Sequence, residues 1–360
     1  MRHWGAAVVL LCGLVAGCET YKDSSHYDYY GAAYGGGSAD AGETCRNKAD
    51  RGLWKEAVEL CTSALADPAI TMDDRATLDG YLVRAYFGLE EYEKALASAN
   101  DIVAILPNSW DALETRAGVY AALEDYDRAL ADYNRAIEME PRYNRAHLGR
   151  ALVYGAQGKL DLAMADINVA VEHDWDDPQA YRVRCRLQIH RSEFIAAISD
   201  CNHALKLEPG YSVAKVEKGA ALYFAGDYRG AADTLADFVT YQQDEPYGLL
   251  WLHLARRRLG IDDSAQLKEQ VQRIDPGRWP ALIVRYFAGT VSREVVENAK
   301  PDPDPKLAGT RQCAVEYFVG EAELVAGHAD DGRRLLENAV AHCQSGDLLG
   351  VGARASLGRL

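Results

Sequence analysis

The chain has 360 residues, 48% hydrophobic and 26% charged, with a formal net charge of −15. That length and hydrophobic share can bury a large core, and would imply two or three globular bodies unless the chain is built of repeats, which grow in one dimension. The acidity argues against nucleic acid as a partner, because that binding needs clustered Lys and Arg to displace counterions.

The N-terminus is a separate object. Met1-Arg2-His3-Trp4 is a short basic start, and the run from Gly5 to Gly17 carries no charge. It is too short to span a bilayer, which takes about 20 residues, and reads as a secretory signal. It closes with Val15-Ala16-Gly17-Cys18, which resembles the lipobox of bacterial lipoproteins. The resemblance implies a signal peptide over 1–17 and Cys18 as the mature first residue, carrying a diacylglycerol. Glu19 rather than Asp at the next position implies sorting to the outer membrane, facing the periplasm, by the enterobacterial pattern. Residues 18–41 hold five tyrosines between Tyr21 and Tyr34 and the run Gly35-Gly36-Gly37-Ser38, with almost no aliphatic side chain. Such a segment cannot bury a core and is expected to be a flexible tether.

From about residue 42 the chain repeats itself every 34 residues. The clearest unit runs from Trp110 to Tyr143, with Leu113, Ala117, Tyr120, Ala129, Tyr133, Ala136 and Pro141 at positions 4, 8, 11, 20, 24, 27 and 32. The first three form one stripe of a first helix and the next three one stripe of a second. Positions 8 and 20 are small where the helices cross, and Pro stops the second helix. Units beginning at 76, 144, 178 and 212 repeat landmarks such as Tyr86, Ala95, Ala163, Ala197, Gly219 and Ala231. An earlier unit begins near Ser38, with Cys45, Trp54, Ala57 and Cys61. The period and landmarks resemble the tetratricopeptide repeat (TPR), which implies an all-α solenoid of helical hairpins wound as a right-handed superhelix, with about six units over 42–245.

Beyond Pro246 the spacing is expected to break. Residues 246–308 read as non-repeat helices (Tyr247–Leu259, Ser264–Ile274 and Ala281–Phe287, with Ser292 as a candidate cap) and a Pro-rich linker. Pro301-Asp302-Pro303-Asp304-Pro305 should be extended. Residues 309–360 read as a last TPR-like hairpin, Cys313 to Cys343, and a terminal capping helix, which a solenoid needs at its open end.

Six cysteines remain after Cys12 and Cys18 are set aside. Cys45 and Cys61, like Cys185 and Cys201, stand at positions 8 and 24 of one unit, and Cys313 and Cys343 at positions 1 and 31 of the last hairpin. Facing residues of an antiparallel hairpin have positions of constant sum, near 32 here, so all six are expected to pair within single hairpins as disulfides of an oxidising compartment. No C-x-x-C pair supports zinc.

No catalytic motif is present: there is no H-E-x-x-H, G-x-S-x-G, Walker loop or G-x-G-x-x-G after a strand. No enzymatic activity, metal or cofactor is expected. His147 reads as a packing residue and Arg256-Arg257-Arg258 as a solvated helix face. What a repeat stack offers is a groove lined by positions 2, 5, 9 and 12 of each first helix. These are Arg84, Phe87, Glu114, Arg145, Leu148, Leu152, Arg182, Arg186, Ile189, Val213, Val216 and Tyr223. Arginines beside apolar surface suit a peptide with apolar anchors and a carboxylate. The Lys and Asn by which some TPR domains clamp chaperone C-termini are missing, since positions 5 and 9 read Gly80/Arg84, Glu114/Gly118, Leu148/Leu152, Arg182/Arg186 and Val216/Ala220.

Leu250-Trp251-Leu252-His253-Leu254-Ala255, Trp279-Pro280 with Ile283-Val284, Tyr286-Phe287-Ala288-Gly289 and Tyr317-Phe318-Val319-Gly320 resemble the NlpI-type lipoproteins of the bacterial outer membrane. That resemblance implies a membrane-anchored adaptor, often a homodimer, that gathers envelope proteases and peptidoglycan hydrolases or synthases. The competing expectation is a chaperone or pilotin-like assembly factor for an envelope secretion, pilus or outer-membrane machine.

Overall fold

The computed structural model describes residues 41–243, 245–343 and 347–360. Among them are nineteen α-helices, one short 3-10 turn and no strand. The signal, Cys18 and nearly all of the expected tether lie outside the described residues. The helices are α1 Ala41–Asp50, α2 Trp54–Leu65, α3 Met72–Gly88, α4 Tyr92–Ile105, α5 Trp110–Ala122, α6 Tyr126–Met139 and α7 Asn144–Ala156. Next come α8 Leu160–His173, α9 Pro178–His190, α10 Phe194–Leu207, α11 Ser212–Ala225, α12 Tyr228–Tyr241 and α13 Pro246–Arg258. The last are α14 Ser264–Gln270, α15 Ala281–Phe287, α16 Arg293–Glu297, α17 Pro305–Ala326, α18 Ala329–His342 and α19 Leu348–Leu357. Among the described residues they form two compact units, 41–154 and 155–360.

In the first unit, α5 and α6 show how one repeat is made. Ser109 caps α5 by accepting from the Ala112 N–H, and Asp125 caps α6 by accepting from the Arg128 N–H, each worth about 1 kcal/mol. Ala117 and Ala129 are fully buried where the helices cross, flanked by buried Leu113, Tyr120 and Tyr133. A Cβ at Gly149 of α7 would lie 2.5 Å from Tyr133 Cζ, so only Gly lets the next helix approach that ring.

The turn between the paired helices is the most constant feature. Repeat position 15 is left-handed in every hairpin: Gly52 (φ 68°), Glu90 (61°), Glu124 (59°), Gly158 (71°), Ser192 (61°) and Gly226 (86°). Glu and Ser there accept a cost of about 1 kcal/mol that Gly avoids. Gly260 continues the series at 74°, 34 residues after Gly226, and Gly327 takes the same turn at 89° in the last hairpin. The period therefore runs half a unit beyond 245. Pro246–Arg258 is a seventh first helix, and only its second helix is cut down, to Ser264–Gln270 and the 3-10 turn Val271–Arg273.

In the second unit α13 is a core element, buried from Pro246 through Ala255. Trp251 contacts Tyr223, Phe224, Tyr317 and Phe318, with ring centres 5.3–5.5 Å away. The Pro-rich run is helix-free only as far as Asp304, because α17 starts on Pro305, where a first-turn proline loses no hydrogen bond. Ser292 precedes α16 but its side chain makes no capping bond.

Candidate protein-binding surface

A thread of ionic hydrogen bonds fixes how the helices present their faces. Arg116 forms a bidentate pair with Asp132 at 2.7 and 2.9 Å and reaches back to Asn100 at 3.4 Å. Arg184 does the same with Asp200, at 2.7 and 2.8 Å, and with Asn168 at 3.3 Å. Arg150 reaches Asn134 at 2.6 Å. Arg116 and Arg184, both at position 7, thus tie the second helix of their own repeat to that of the repeat before. The residues recur at 34-residue spacing, so the signal was in the sequence, but the groove-centred reading passed over it.

The six cysteines meet in the expected pairs: Cys45 with Cys61, Cys185 with Cys201 and Cys313 with Cys343, their Cα atoms 5.4, 5.5 and 5.0 Å apart. Among the described residues, the two groups able to bring ligand-type atoms together are Cys185, Cys201 and Glu217, and Cys313, Cys343 and Asp347. In both the sulfurs are joined in a disulfide, leaving no thiolate for a metal.

The predicted groove residues of the first unit are Arg84, Phe87, Glu114, Arg145, Leu148 and Leu152. Arg84 is buried and paired with Asp50 at 2.6 Å. Glu114 is buried and lies 3.7 Å from Arg145. Leu148 is buried, while Phe87, Arg145 and Leu152 are half-buried.

In the second unit, where the sequence reading placed Arg182, Arg186, Ile189 and Tyr223 on an open groove, all four are under 5% exposed. Val213 and Val216 are half-buried. Glu217, itself fully buried, draws in both arginines: Arg182 Nη1 donates to its Oε1 at 3.1 Å and Arg186 Nε at 2.9 Å. Arg182 Nε also donates to the Tyr211 hydroxyl at 2.8 Å. A second buried carboxylate, Glu321, takes Arg258 at 2.7 Å and a short bond from the Tyr223 hydroxyl. Arg258 is thus half-buried on a core carboxylate and Arg256 pairs with Asp263 at 3.1 Å, while Arg257 alone is exposed as the solvated reading expects. His147 packs as expected, its Nε2 3.1 Å from the Pro141 carbonyl.

A further helix packs on the same two first helices. Beyond capping the last hairpin, α19 rests on the first helices α9 and α11. Gly352 seats it, because a Cβ there would lie 2.8 Å from Phe224 Cζ and 3.0 Å from Tyr317 Cε2. Arg359 donates to the Phe224 carbonyl at 2.7 Å, and Asp347 caps the helix through the Leu349 N–H at 2.8 Å. Beneath it, burial and the charges of Arg186 and Arg354 push the His190 imidazole down to about 3. Burial raises the Asp347 carboxyl to about 6. No sequence motif marked α19 as the occupant of this face; the pattern of its apolar residues is that of any capping helix.

No described helix is long and apolar enough to cross a membrane. Residues 115–178 match the tetratricopeptide repeat family model. Among solved structures, PilF of Pseudomonas aeruginosa is 18% identical over 57% of this chain and 95% of its own, with a TM-score of 0.51. A tetratricopeptide repeat protein of Parabacteroides merdae is 17% identical over 70% and 97%, with a TM-score of 0.49. A thermophilic TPR protein of Thermus thermophilus is 22% identical over 51% and 98%, with a TM-score of 0.46. At such identities the likeness concerns the fold alone. Residues 115–178 thus carry tetratricopeptide repeats, and the 34-residue landmarks and the recurring left-handed turn extend the same helical-hairpin architecture to the other described repeats.

Proposed function

We propose that this protein is a lipid-anchored adaptor of the bacterial envelope, held by Cys18 at the outer membrane and facing the periplasm. Its repeat faces take segments of other proteins, and its work is contact rather than bond-making. The observation that carries the binding half is the seating of α19 on α9 and α11: a face of first helices already accepts a helix, through a close Gly contact and a main-chain carbonyl. This is the helix-in-groove mode of peptide recognition. Of the corresponding positions of the first unit, the half-buried Phe87, Arg145 and Leu152 supply the surface for a partner, while Arg84, Glu114 and Leu148 are buried beneath it. Anchoring is supported by Val15-Ala16-Gly17-Cys18. The choice of envelope proteases and peptidoglycan hydrolases or synthases as partners is supported by the resemblance of the C-terminal third to NlpI-type lipoproteins.

The test is photo-crosslinking in intact cells from a reactive residue placed at Phe87 or Leu152, followed by mass spectrometry. Several cell-wall enzymes or proteases should be captured, and Cys18→Ala should release the protein from the membrane fraction. Loss of one secretion or pilus component on deletion, with no such capture, would favour an assembly factor instead. Turnover of peptidoglycan by the isolated chain would refute the adaptor reading.

A further inference from the structure

Away from the repeat faces, the second unit contains a cavity of about 590 Å³ between the Pro276–Trp279 turn, the chain leaving α16, and helices α17 and α18. That is within the range that holds a small ligand or a few residues of peptide. One end of it is unusual in its polar chemistry. Trp279 Nε1–H and Arg311 Nε–H are both buried donors with no acceptor, and both residues line the cavity. The Arg311 guanidinium lies 5.4 Å from the centre of the Trp279 ring, so the two donors share that end. Arg311 is held in place by Asp302, which accepts from its Nη2 at 2.9 Å. A buried N–H without an acceptor costs about 1–3 kcal/mol, and two side by side make an arrangement that an acceptor group would complete.

The cavity lining is cationic on balance, with Arg278, Lys300, Arg311 and Arg334 against Glu297 and Glu316. Its carboxylates are already engaged, Glu297 by Arg293 at 2.7 Å and Glu316 by His342 at 2.9 Å. Lys300 faces the same space with no carboxylate partner among the described residues. The remaining wall is apolar, formed by Leu282, Val315 and Leu335. A group that answers all of this has two anionic oxygens close to an apolar side chain. The last residue of a peptide has that form, whereas an internal Asp or Glu brings its carboxylate without the apolar neighbour.

The geometry points to a binding site for the C-terminal carboxylate of a peptide ending in an aliphatic residue, with Trp279 and Arg311 as donors and Leu282, Val315 and Leu335 receiving the side chain. The site is distinct from the repeat faces and does not depend on the adaptor reading.

Calorimetric titration of the purified mature chain with acetyl-Ala-Ala-Leu as the free acid tests it, against the C-terminal amide and against acetyl-Ala-Glu-Ala-amide. The acid should bind at one saturable site, and both other peptides about tenfold or more weaker, the cost of losing a charge-assisted hydrogen bond. Arg311→Gln should weaken the acid by a similar factor. Trp279→Phe keeps an aromatic ring but removes the N–H together with the indole's five-membered ring, and should weaken the acid several-fold in a variant whose cooperative unfolding shows it folded, which keeps the test decisive if the Arg311 variant folds poorly. Equal binding of acid and amide, binding of the internal Glu peptide as strong as that of the acid, or no saturation of wild type by about 5 mM would each overturn the assignment.

Discussion

Gly352 is the point at which the docking of α19 can be tested by a single methyl group. A Cβ there overlaps the Phe224 ring, with Cζ at 2.8 Å, and meets Tyr317 at 3.0 Å. Phe224 cannot swing aside, because it is 2% exposed and wedged between Trp251 and Phe194, ring centres 5.3 and 5.7 Å away. Overpacking of this kind costs about 1–3 kcal/mol. Replacing a mid-helix Gly by Ala returns about 0.5–1 kcal/mol of backbone entropy. Gly352→Ala should therefore weaken docking by about 1 kcal/mol net, and Gly352→Val, with more bulk and poorer helix propensity, by about 3 kcal/mol. Gly309 of α17 has no atom within 4 Å of its Cβ position, so Gly309→Ala should show the entropy gain alone, about 0.5–1 kcal/mol. Amide hydrogen exchange across 348–357 reads the opening of α19 directly. Protection there should fall about fivefold in the Ala variant and more than a hundredfold in the Val variant, with Gly309→Ala leaving it unchanged. Protection of α19 in Gly352→Ala equal to or above wild type would refute the close approach of α19 to Phe224 and Tyr317.

Two further outcomes follow from the ionic groups. In a double-mutant cycle of Arg184→Ala and Asp200→Ala, the half-buried bidentate pair should show a coupling of about 1–3 kcal/mol in thermal or urea unfolding, and a value near zero would reduce the thread to surface decoration. The second concerns pH. His190, held down to about 3 from 6.5, contributes stability present above pH 6.5 and lost as pH falls toward 3. Asp347, raised to about 6 from 3.8, contributes stability present below pH 3.8 and lost as pH rises through 6. Each slope reaches about 1.4 kcal/mol per pH unit. They oppose one another between pH 4 and 6, so protection of α19 should vary little in wild type, decline toward pH 6 in His190→Gln and increase toward pH 6 in Asp347→Asn.

What the sequence disclosed was whatever packs locally. Ala117 against Ala129, or Cys185 against Cys201, follow from two helices joined by a short turn, and a 34-residue period carries them along the chain. The turn itself was harder to see, because Glu90, Glu124 and Ser192 stand at a left-handed position where Gly is the expected mark. Gly260 was there to be read, 34 residues after Gly226, but the shortened α14 masked the repeat it belongs to. The groove residues were named correctly as first-helix positions, yet their exposure depends on contacts no local pattern encodes. Glu217 lies 35 residues from Arg182 and 31 from Arg186, and Phe224 meets Arg359 across 135 residues. The same limit applies to Trp279 and Arg311, which share a cavity wall only because α17 returns past the Pro276–Trp279 turn.

The placement of the cysteines bears on how the chain reaches its oxidised form. Six thiols can be joined in fifteen ways, yet each partner here lies 16, 16 or 30 residues away. The next cysteine after Cys61 is more than a hundred residues further along. In an unfolded chain the nearer partner is favoured by about 1–2 kcal/mol of loop-closure entropy. Connectivity is thereby decided as soon as each stretch of chain becomes available to an oxidant, with little call for reshuffling, and the loss of one bridge leaves the choice of the other two undisturbed.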